Sequence, residues 1–357
     1  IGVWIMAYTT IDKPSDYFNT KLYTGNGSTG HAITGVGFQP DWVWIKSRDS
    51  GSDNHNAFDV VRGASKGLQP NDTDAEYTAS SVHESFNTDG FTLGDNGQVN
   101  GSSESFVSWN WKAGTSFTND ASSTGIGSID STGSVNTDAG FSIISYTGTG
   151  SVATVAHGLG AAPAVLIHKK RTTSAEAWSV FHQSVGITKR MILSSTEAAT
   201  ADASPQPDWN DVAPTSSVFT IGTSSRTNAS EDYICYAFSE KQGYSKFGSF
   251  VSNGNVSGTF CYLGFKPAWI MIKDTAARSW IILDNKRNTF NVVNNRLFAD
   301  SGDAQNTSVD ALDFLSNGFK IRSTNSSVGI SGNTYIYMAF AEQPFVTGSS
   351  GIPATAK

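Results

Sequence analysis

Short apolar runs separated by polar, glycine-containing turns follow one another along the chain, and this pattern predicts strands. In the run DWVWIK, the side chains of Trp42, Trp44 and Lys46 share one face of a strand. Val43 and Ile45 share the other face, because successive side chains of a strand point to opposite sides. Both faces are largely apolar, so we expect this strand to be central and buried on both sides.

The same pattern occurs three times in the chain. A Gly-rich turn precedes each copy, a second strand-like run follows it, and a final aromatic strand closes it (SFVSWNW, DYICYAF and TYIYMAF). Several landmarks in one order are not expected from chance likeness, so we infer an internal repeat. Alignment of the prolines also aligns the lysines: Pro40, Pro163 and Pro267, with Lys46, Lys169 and Lys273.

The repeats predict an all-β fold of three tandem homologous β-sandwiches of the jelly-roll or lectin-like kind. One short helix is expected around Leu312, ended by Gly318. The polar segment before the second repeat is either a flexible linker or the source of an edge strand through GIGSIDS. The arrangement of the repeats stays open. The predicted segments are an N-terminal arm 1–19, repeat 1 at 20–114, a polar linker 115–138, repeat 2 at 139–246, repeat 3 at 247–345, and a disordered tail 346–357.

The composition favours strands over helices and argues against some classes of function. Of 357 residues only 15% are charged, against roughly 25% in an average soluble domain. The 35 glycines disfavour long helices. A net charge of −7 argues against nucleic-acid binding, and the chain lacks an apolar run long enough to span a membrane. Cys235 and Cys261 lie in strand-like runs and are predicted to be buried free thiols, with a disulfide as the alternative.

The chain offers few residues for chemistry, and we expect no enzymatic activity. The histidines lack metal-ligand spacing, and no acid pair is set apart in a unique insertion. Asp74, Glu197 and Asp303 fall at nearly equivalent positions of three polar loops, which favours a structural role, with a weak calcium site as the alternative. Trp209 lies in the loop PQPDWND, present only in repeat 2, and is the candidate for an exposed glycan-binding residue.

Two stretches resemble repeats in structural and tail-fibre-type virion proteins of tailed bacteriophages, especially marine ones. They are NTDAGFSIISYTGTG with HGLGAAPAVLIHKKR and AWSVFHQS, and the run from GYSKFGSF through GFKPAWIMIK to NTYIYMAFAEQPF. The opening MAYTTIDKPSDYFNTKLYTGNG is similar to the start of such proteins. The resemblance extends from Met6 to Phe345 and brings no catalytic residue with it.

This resemblance implies a non-enzymatic component of the virion, assembled in the host cytoplasm. We expect a tail-fibre or receptor-binding subunit that presents β-domains to a host surface polysaccharide or to neighbouring virion proteins. Self-assembly as a homo-oligomer, most often a trimer, is implied as well. The alternatives are a decoration protein on the capsid surface, a cellular carbohydrate-binding module, or a polysaccharide-degrading enzyme. An enzyme of that class would need a clustered acid pair in a groove.

Overall fold

The computed structural model describes residues 7–172, 175–203, 205–348 and 351–355. Part of the predicted N-terminal arm, residues 1–6, and part of the predicted tail therefore lie outside the described residues. The described chain is all-β, as predicted, with three helices of one turn each, and none of these helices is long and apolar enough to cross a membrane. They are α1 (Gly97–Asn100), α2 (Ala121–Thr124) and α3 (Ser225–Asn228), and a 3-10 turn covers Pro14–Asp16.

Repeat 1 contains a six-stranded and a three-stranded sheet. The large sheet has the order β1-β9-β3-β4-β5-β6 and the small sheet β2-β8-β7. The strands are β1 (Phe18–Thr24), β2 (His31–Thr34), β3 (Trp42–Ser47), β4 (Asn56–Asp59), β5 (Lys66–Leu68), β6 (Tyr77–Thr78), β7 (His83–Asn87), β8 (Gly90–Leu93) and β9 (Ser105–Trp111).

Repeat 2 and the segment before it form an eight-stranded sheet, β10-β11-β12-β19-β14-β15-β16-β17, and a two-stranded sheet, β13-β18. The strands are β10 (Thr115–Asn119), β11 (Ser131–Asn136), β12 (Phe141–Thr147), β13 (Ala153–Ala156), β14 (Val165–Lys170), β15 (Ser179–His182), β16 (Lys189–Ile192), β17 (Thr200–Ala201), β18 (Val218–Ile221) and β19 (Asp232–Phe238).

Repeat 3 forms a five-stranded sheet, β20-β27-β22-β23-β24, and a three-stranded sheet, β21-β26-β25. The strands are β20 (Ser245–Val251), β21 (Phe260–Tyr262), β22 (Phe265–Asp274), β23 (Ile281–Asp284), β24 (Leu297–Phe298), β25 (Leu312–Leu315), β26 (Gly318–Ile321) and β27 (Thr334–Pro344). Five strands therefore keep one order in all three large sheets, while the jelly-roll or lectin-like class of the repeats stays a prediction.

The strand that follows the aligned proline in repeats 1 and 2, and contains it in repeat 3, is central in each large sheet and wholly buried, as predicted. Its two faces enter two different cores. Trp42 and Trp44 of β3 enter a core to which all three repeats contribute, called here the shared core. Val43 and Ile45 enter a second core, which lies between the large and small sheets of repeat 1 alone. Repeats 2 and 3 have private cores of the same kind.

The shared core is rich in stacked aromatic rings. The Trp42 ring lies 4.2 Å from that of Tyr236 in repeat 2, measured between centroids, and 4.5 Å from Trp111. Trp111 in turn meets Trp269 of repeat 3 edge-on at 5.6 Å. Ring pairs at such distances are each worth roughly 0.5–1.5 kcal/mol beyond the area they bury. One aromatic seam thus joins the three repeats.

Three sets of polar contacts close the repeats into a ring, because repeat 1 contacts repeat 3, repeat 2 contacts repeat 1, and repeat 3 contacts repeat 2. In the first set, the backbone carbonyl two residues after the aligned lysine accepts from a backbone N–H of the neighbouring repeat. The bonds run from Gln305 to Arg48 at 2.9 Å, from Glu76 to Arg171 at 2.8 Å, and from Ala199 to Thr275 at 2.9 Å. In the second set a buried ring N–H donates to a carbonyl: His55 to Phe298 at 2.9 Å, Trp178 to Gln69 at 2.9 Å, and Trp280 to Ile192 at 2.8 Å.

The third set is made by the buried last residue of three equivalent strands, β4, β15 and β23. At the boundary of repeats 1 and 2, Asp59 binds Arg62 at 2.5 Å and accepts from the Tyr236 hydroxyl at 2.7 Å. The boundary of repeats 3 and 1 has the same arrangement in Asp284, Arg287 and Trp109. At the boundary of repeats 2 and 3, His182 takes the place of the aspartate and bonds the Tyr337 carbonyl at 3.1 Å.

Three sequence-based expectations need correction or refinement. The predicted helix around Leu312 is strand β25, because Leu312 and Phe314 alternate inward and pair with β26. The segment 115–138, expected to be a flexible linker or the source of an edge strand through GIGSIDS, carries β10 and β11, which extend the large sheet of repeat 2. The two strands lie on either side of most of GIGSIDS. The described part of the predicted disordered tail folds back, since Val346 pairs with Pro353 and Gly348 donates to Asp12. Cys235 and Cys261 are free and buried, as predicted.

The buried Arg62–Asp59 pair predicts a large effect of one substitution. Arg62→Met should lower the free energy of unfolding by about 3–5 kcal/mol, because it leaves the Asp59 carboxylate buried without a counter-charge. Urea unfolding at pH 7 measures this. The control is Lys13→Met, which breaks an exposed pair with Asp16 and should cost at most about 1 kcal/mol. Equal losses in the two variants would contradict the role given to the Arg62–Asp59 pair.

A second prediction concerns His168, which is buried with neither ring nitrogen bonded to a described residue. Burial lowers its pKa to about 3, against roughly 6.5 in an unfolded chain. Below pH 6.5 this histidine binds a proton in the unfolded chain but stays neutral in the folded chain. The free energy of unfolding therefore decreases as the pH falls toward 3. Ile45 and Ile272 occupy the equivalent positions.

We therefore expect His168→Ile to reduce the acid sensitivity of the fold. Relative to the parent, the variant should gain about 2 kcal/mol more stability at pH 5 than at pH 8. Urea unfolding at both pH values measures the difference. The same gain at both pH values would show that the effect comes from packing alone.

Candidate functional site

Trp209 is not exposed, contrary to the sequence-based expectation. Its side chain is only 1% accessible and packs 5.3 Å from the His168 ring and 6.0 Å from the Phe181 ring. The polar residues of its loop explain the burial. The Asp202 carboxylate accepts from the backbone N–H groups of Asp208 at 2.7 Å and Trp209 at 2.8 Å, which holds the loop with the indole turned inward.

The other tryptophans of the described chain are buried too, at 2% exposure or less. Any aromatic residue that stacks on a sugar ring would therefore have to be a phenylalanine or a tyrosine. Three of them are well exposed: Phe260 at 45%, Tyr262 at 50% and Phe290 at 77%. Phe260 and Tyr262 lie on the outer face of β21, and the Lys246 ammonium group lies 5.4 Å from the Tyr262 ring.

Asp74, Glu197 and Asp303 are exposed and lie one in each repeat. Among the described residues no group of three His, Cys, Asp or Glu side chains is arranged to hold a metal ion, so the calcium alternative has no support in the geometry. The loops of Asp74 and Glu197 instead approach buried lysines of the next repeat. The Lys169 ammonium donates to the Thr73 carbonyl at 3.0 Å, and that of Lys273 to the Thr196 carbonyl at 3.3 Å.

Burial and the nearby carboxylates shift the pKa of these lysines in opposite directions. Burial lowers the pKa of Lys169 to about 8, and the charges of Glu176 and Asp74 oppose that shift. Burial likewise lowers the pKa of Lys46 and of Lys273 to about 8. The predicted structural role of the loops therefore has a physical basis, because the carboxylates help to keep buried ammonium groups charged at the repeat boundaries.

The hairpin of β10 and β11 is the main feature that the other two repeats lack. It extends the edge strand β12, whereas among the described strands the equivalent β1 and β20 are the outermost of their large sheets. Phe117 lies opposite Gly133, and a Cβ on that glycine would come within 2.5 Å of the Phe117 ring. The Phe117 ring packs on the private core of repeat 2, so this face of the hairpin is anchored.

The opposite face of the hairpin carries hydroxyl groups. Ser116 lies directly across from Ser134, and Thr118 across from Thr132. With the side chains of repeat 1 they line a cavity of about 410 Å³, called here the Asp41 cavity. Its wall in repeat 1 consists of Gln39, Asp41, Val60 and Val61. A volume of this size is typical of small-molecule sites, and the wall combines an aliphatic patch with hydroxyl, amide and carboxyl groups.

Asp41 is the charged group of this cavity. Its Oδ2 accepts from the Ala113 N–H at 2.8 Å, which anchors the start of the hairpin. No described residue donates to its Oδ1, although the residue is only 4% exposed. Burial raises the pKa of Asp41 to about 6, while the Ala113 N–H and the charge of Lys112 oppose that rise. The carboxyl group is therefore mainly ionised at pH 7 with one oxygen available.

Sequence reasoning missed Asp41, although a signal was present. The two aligned positions after proline hold Ala164 and Ala268. Asp41 and Ala164 make the same two backbone bonds, Asp41 to Trp111 and Val60 and Ala164 to Phe238 and Gln183. Ala268 shares the carbonyl bond, which it makes to Asn285. The repeated strands therefore need no side chain here beyond alanine, and the carboxyl group of Asp41 is a departure that accompanies the hairpin, whose start its Oδ2 anchors.

A second cavity, of about 320 Å³, lies on the Phe117 face of the hairpin. Ile126, Val135 and Ala156 make much of its wall apolar. It has no charged side chain among its described wall residues. The Asp41 cavity is thus the better candidate for recognition of a polar ligand.

A family described as a domain of unknown function (DUF7483) matches residues 13–344. The chain belongs to this family. Comparison with curated proteins gives no match, and comparison with solved structures gives none either. The DUF7483 match ends at Pro344, the last residue of β27, so it covers the three repeats and the hairpin together.

The buried position of Trp209 predicts that its loss will affect folding. Trp209→Ala should lower the free energy of unfolding by about 3–5 kcal/mol, because it removes a large ring from the core. Urea unfolding measures this, with Phe290→Ala as the control. Phe290 is 77% exposed, and its replacement should change stability by no more than about 0.5 kcal/mol. A Trp209→Ala variant as stable as the control would contradict the buried assignment.

Proposed function

We propose that this protein is a non-enzymatic structural component of a tailed-phage virion. In this proposal it is a tail-fibre or receptor-binding subunit, built from three homologous β-sandwich repeats at 20–114, 139–246 and 247–345. It presents these repeats to a host surface glycan or to neighbouring virion proteins. The resemblance of two long stretches to virion proteins first suggested this function.

The observation that supports a binding role best is the Asp41 cavity. The ring is built three times from the same strands, and its aromatic residues serve chiefly to hold it together. Against that background the β10–β11 hairpin forms one wall of an open polar cleft beside repeat 1. An insertion that leaves the repeated core unchanged and adds a recessed polar surface is typical of recognition built on a rigid scaffold.

The ring itself suits a part of a particle that must keep its shape. Each boundary has a backbone bond, a buried ring N–H bond and a buried polar contact from the end of an equivalent strand. Contacts of this density disfavour independent motion of the repeats. Self-association into a trimer would use the outer surface, where Phe260, Tyr262 and Phe290 offer exposed aromatic area.

Localisation on the particle tests this function. Gold-labelled antibody against the chain should bind the tails of intact phage particles in electron micrographs, with antibody pre-absorbed on the purified chain as the control. Purified chain should also compete with phage for adsorption to host cells. Label spread over the capsid would instead identify a decoration protein. Unlabelled particles would contradict the virion assignment altogether.

A further inference from the structure

We infer that the Asp41 cavity is a binding site for an uncharged polyhydroxyl ligand, a neutral sugar, with Asp41 Oδ1 as the central hydrogen-bond acceptor. The inference rests on the proposed binding function and assigns to it a site and a class of ligand. It concerns the cavity alone and none of the exposed aromatic residues.

The unpartnered oxygen of Asp41 is the first argument. Asp41 as a whole is only 4% exposed, yet Oδ1 is not one of the fully buried atoms that lack a partner, so this oxygen is open to the cavity. Asp41 uses Oδ2 to hold Ala113, while Oδ1 lacks a donor among the described residues. The two other repeats have alanine at this position and keep the bond of its backbone carbonyl to the neighbouring strand. A donor supplied from the cavity would satisfy Oδ1, and a ligand hydroxyl group is such a donor.

The opposite wall points to the same class of ligand. Ser116 and Thr118 on β10, with Thr132 on β11, are exposed on the cavity face, and the Thr118 and Thr132 hydroxyls have no partner among the described residues. A hydroxyl group both donates and accepts, so this row matches a ligand whose edge carries alternating donors and acceptors. Val60 and Val61 add an aliphatic patch against which the C–H face of a sugar ring can pack.

The charge of the cavity argues against an anionic ligand, because the ionised Asp41 would repel it in a chain of net charge −7. A small cation would pair with the carboxylate but would leave the hydroxyl row and the aliphatic patch unused. A neutral ligand with several hydroxyl groups can use all three features.

The experiment uses the full chain and a panel of neutral oligosaccharides: maltotetraose, cellotetraose and N,N′,N″-triacetylchitotriose. Saturation-transfer NMR and calorimetry should detect binding of at least one of them, whereas oligogalacturonate should not bind. Asp41→Asn keeps an acceptor for Ala113 but turns the free oxygen into a donor, and it should weaken binding at least tenfold. Thr118→Val removes one hydroxyl at nearly constant shape and should weaken binding several-fold.

Thr34→Val is the matched control, because Thr34 is an exposed strand threonine on the small sheet of repeat 1. It should leave affinity unchanged, and thermal unfolding of every variant checks that the fold is intact. Absence of binding at 10 mM of each sugar would overturn the inference, as would binding that Asp41→Asn and Thr118→Val leave unchanged. Antibody labelling of particles is independent of these outcomes, so the site can fail while the virion function stands.

Discussion

The shared aromatic core is the interaction on which the rest of the structure depends. Each large sheet turns one apolar face toward the two others, and the rings of Trp42, Tyr236 and Trp269 belong to that common interior. A large apolar face left in water costs roughly 25 cal/mol for every Å² exposed. No repeat can cover its own inner face with its small sheet, because the small sheet already covers the other face. The three repeats must therefore cover one another.

Ring closure also explains where polar groups are buried. The sheets end at the repeat boundaries, and the groups at those ends are met by the next repeat, as in the carbonyls of Arg48, Arg171 and Thr275. The Asp59–Arg62 and Asp284–Arg287 pairs are fully buried and find ring or hydroxyl donors across the boundary. Such pairs add little stability over apolar groups of the same size, but a mismatched neighbour would leave a charge uncompensated. They therefore favour one order of the repeats around the ring.

Much of this architecture could be predicted from the sequence, because it is encoded locally. The two apolar faces of DWVWIK predicted a strand buried on both sides, and β3 has that environment. Long-range features could not be predicted. Trp209 is buried by Asp202, through bonds that its polar sequence does not reveal. The polar segment 115–138 forms a hairpin, one face of which lines a cavity. Asp41 required a comparison between repeats at a position where two of them have alanine.

The contacts between repeat 3 and repeat 1 have a consequence for synthesis. His55 meets the Phe298 carbonyl and Arg48 meets Gln305, so the ring closes through residues some 240 to 260 positions apart in the chain. Synthesis proceeds at roughly 5–20 residues per second, so the inner tryptophans of repeat 1 stay unshielded for on the order of ten seconds or more. During that time the nascent chain exposes the apolar inner face of repeat 1 to other chains. The yield of folded protein in the cell therefore depends on whether repeat 3 covers that face before another nascent chain binds it.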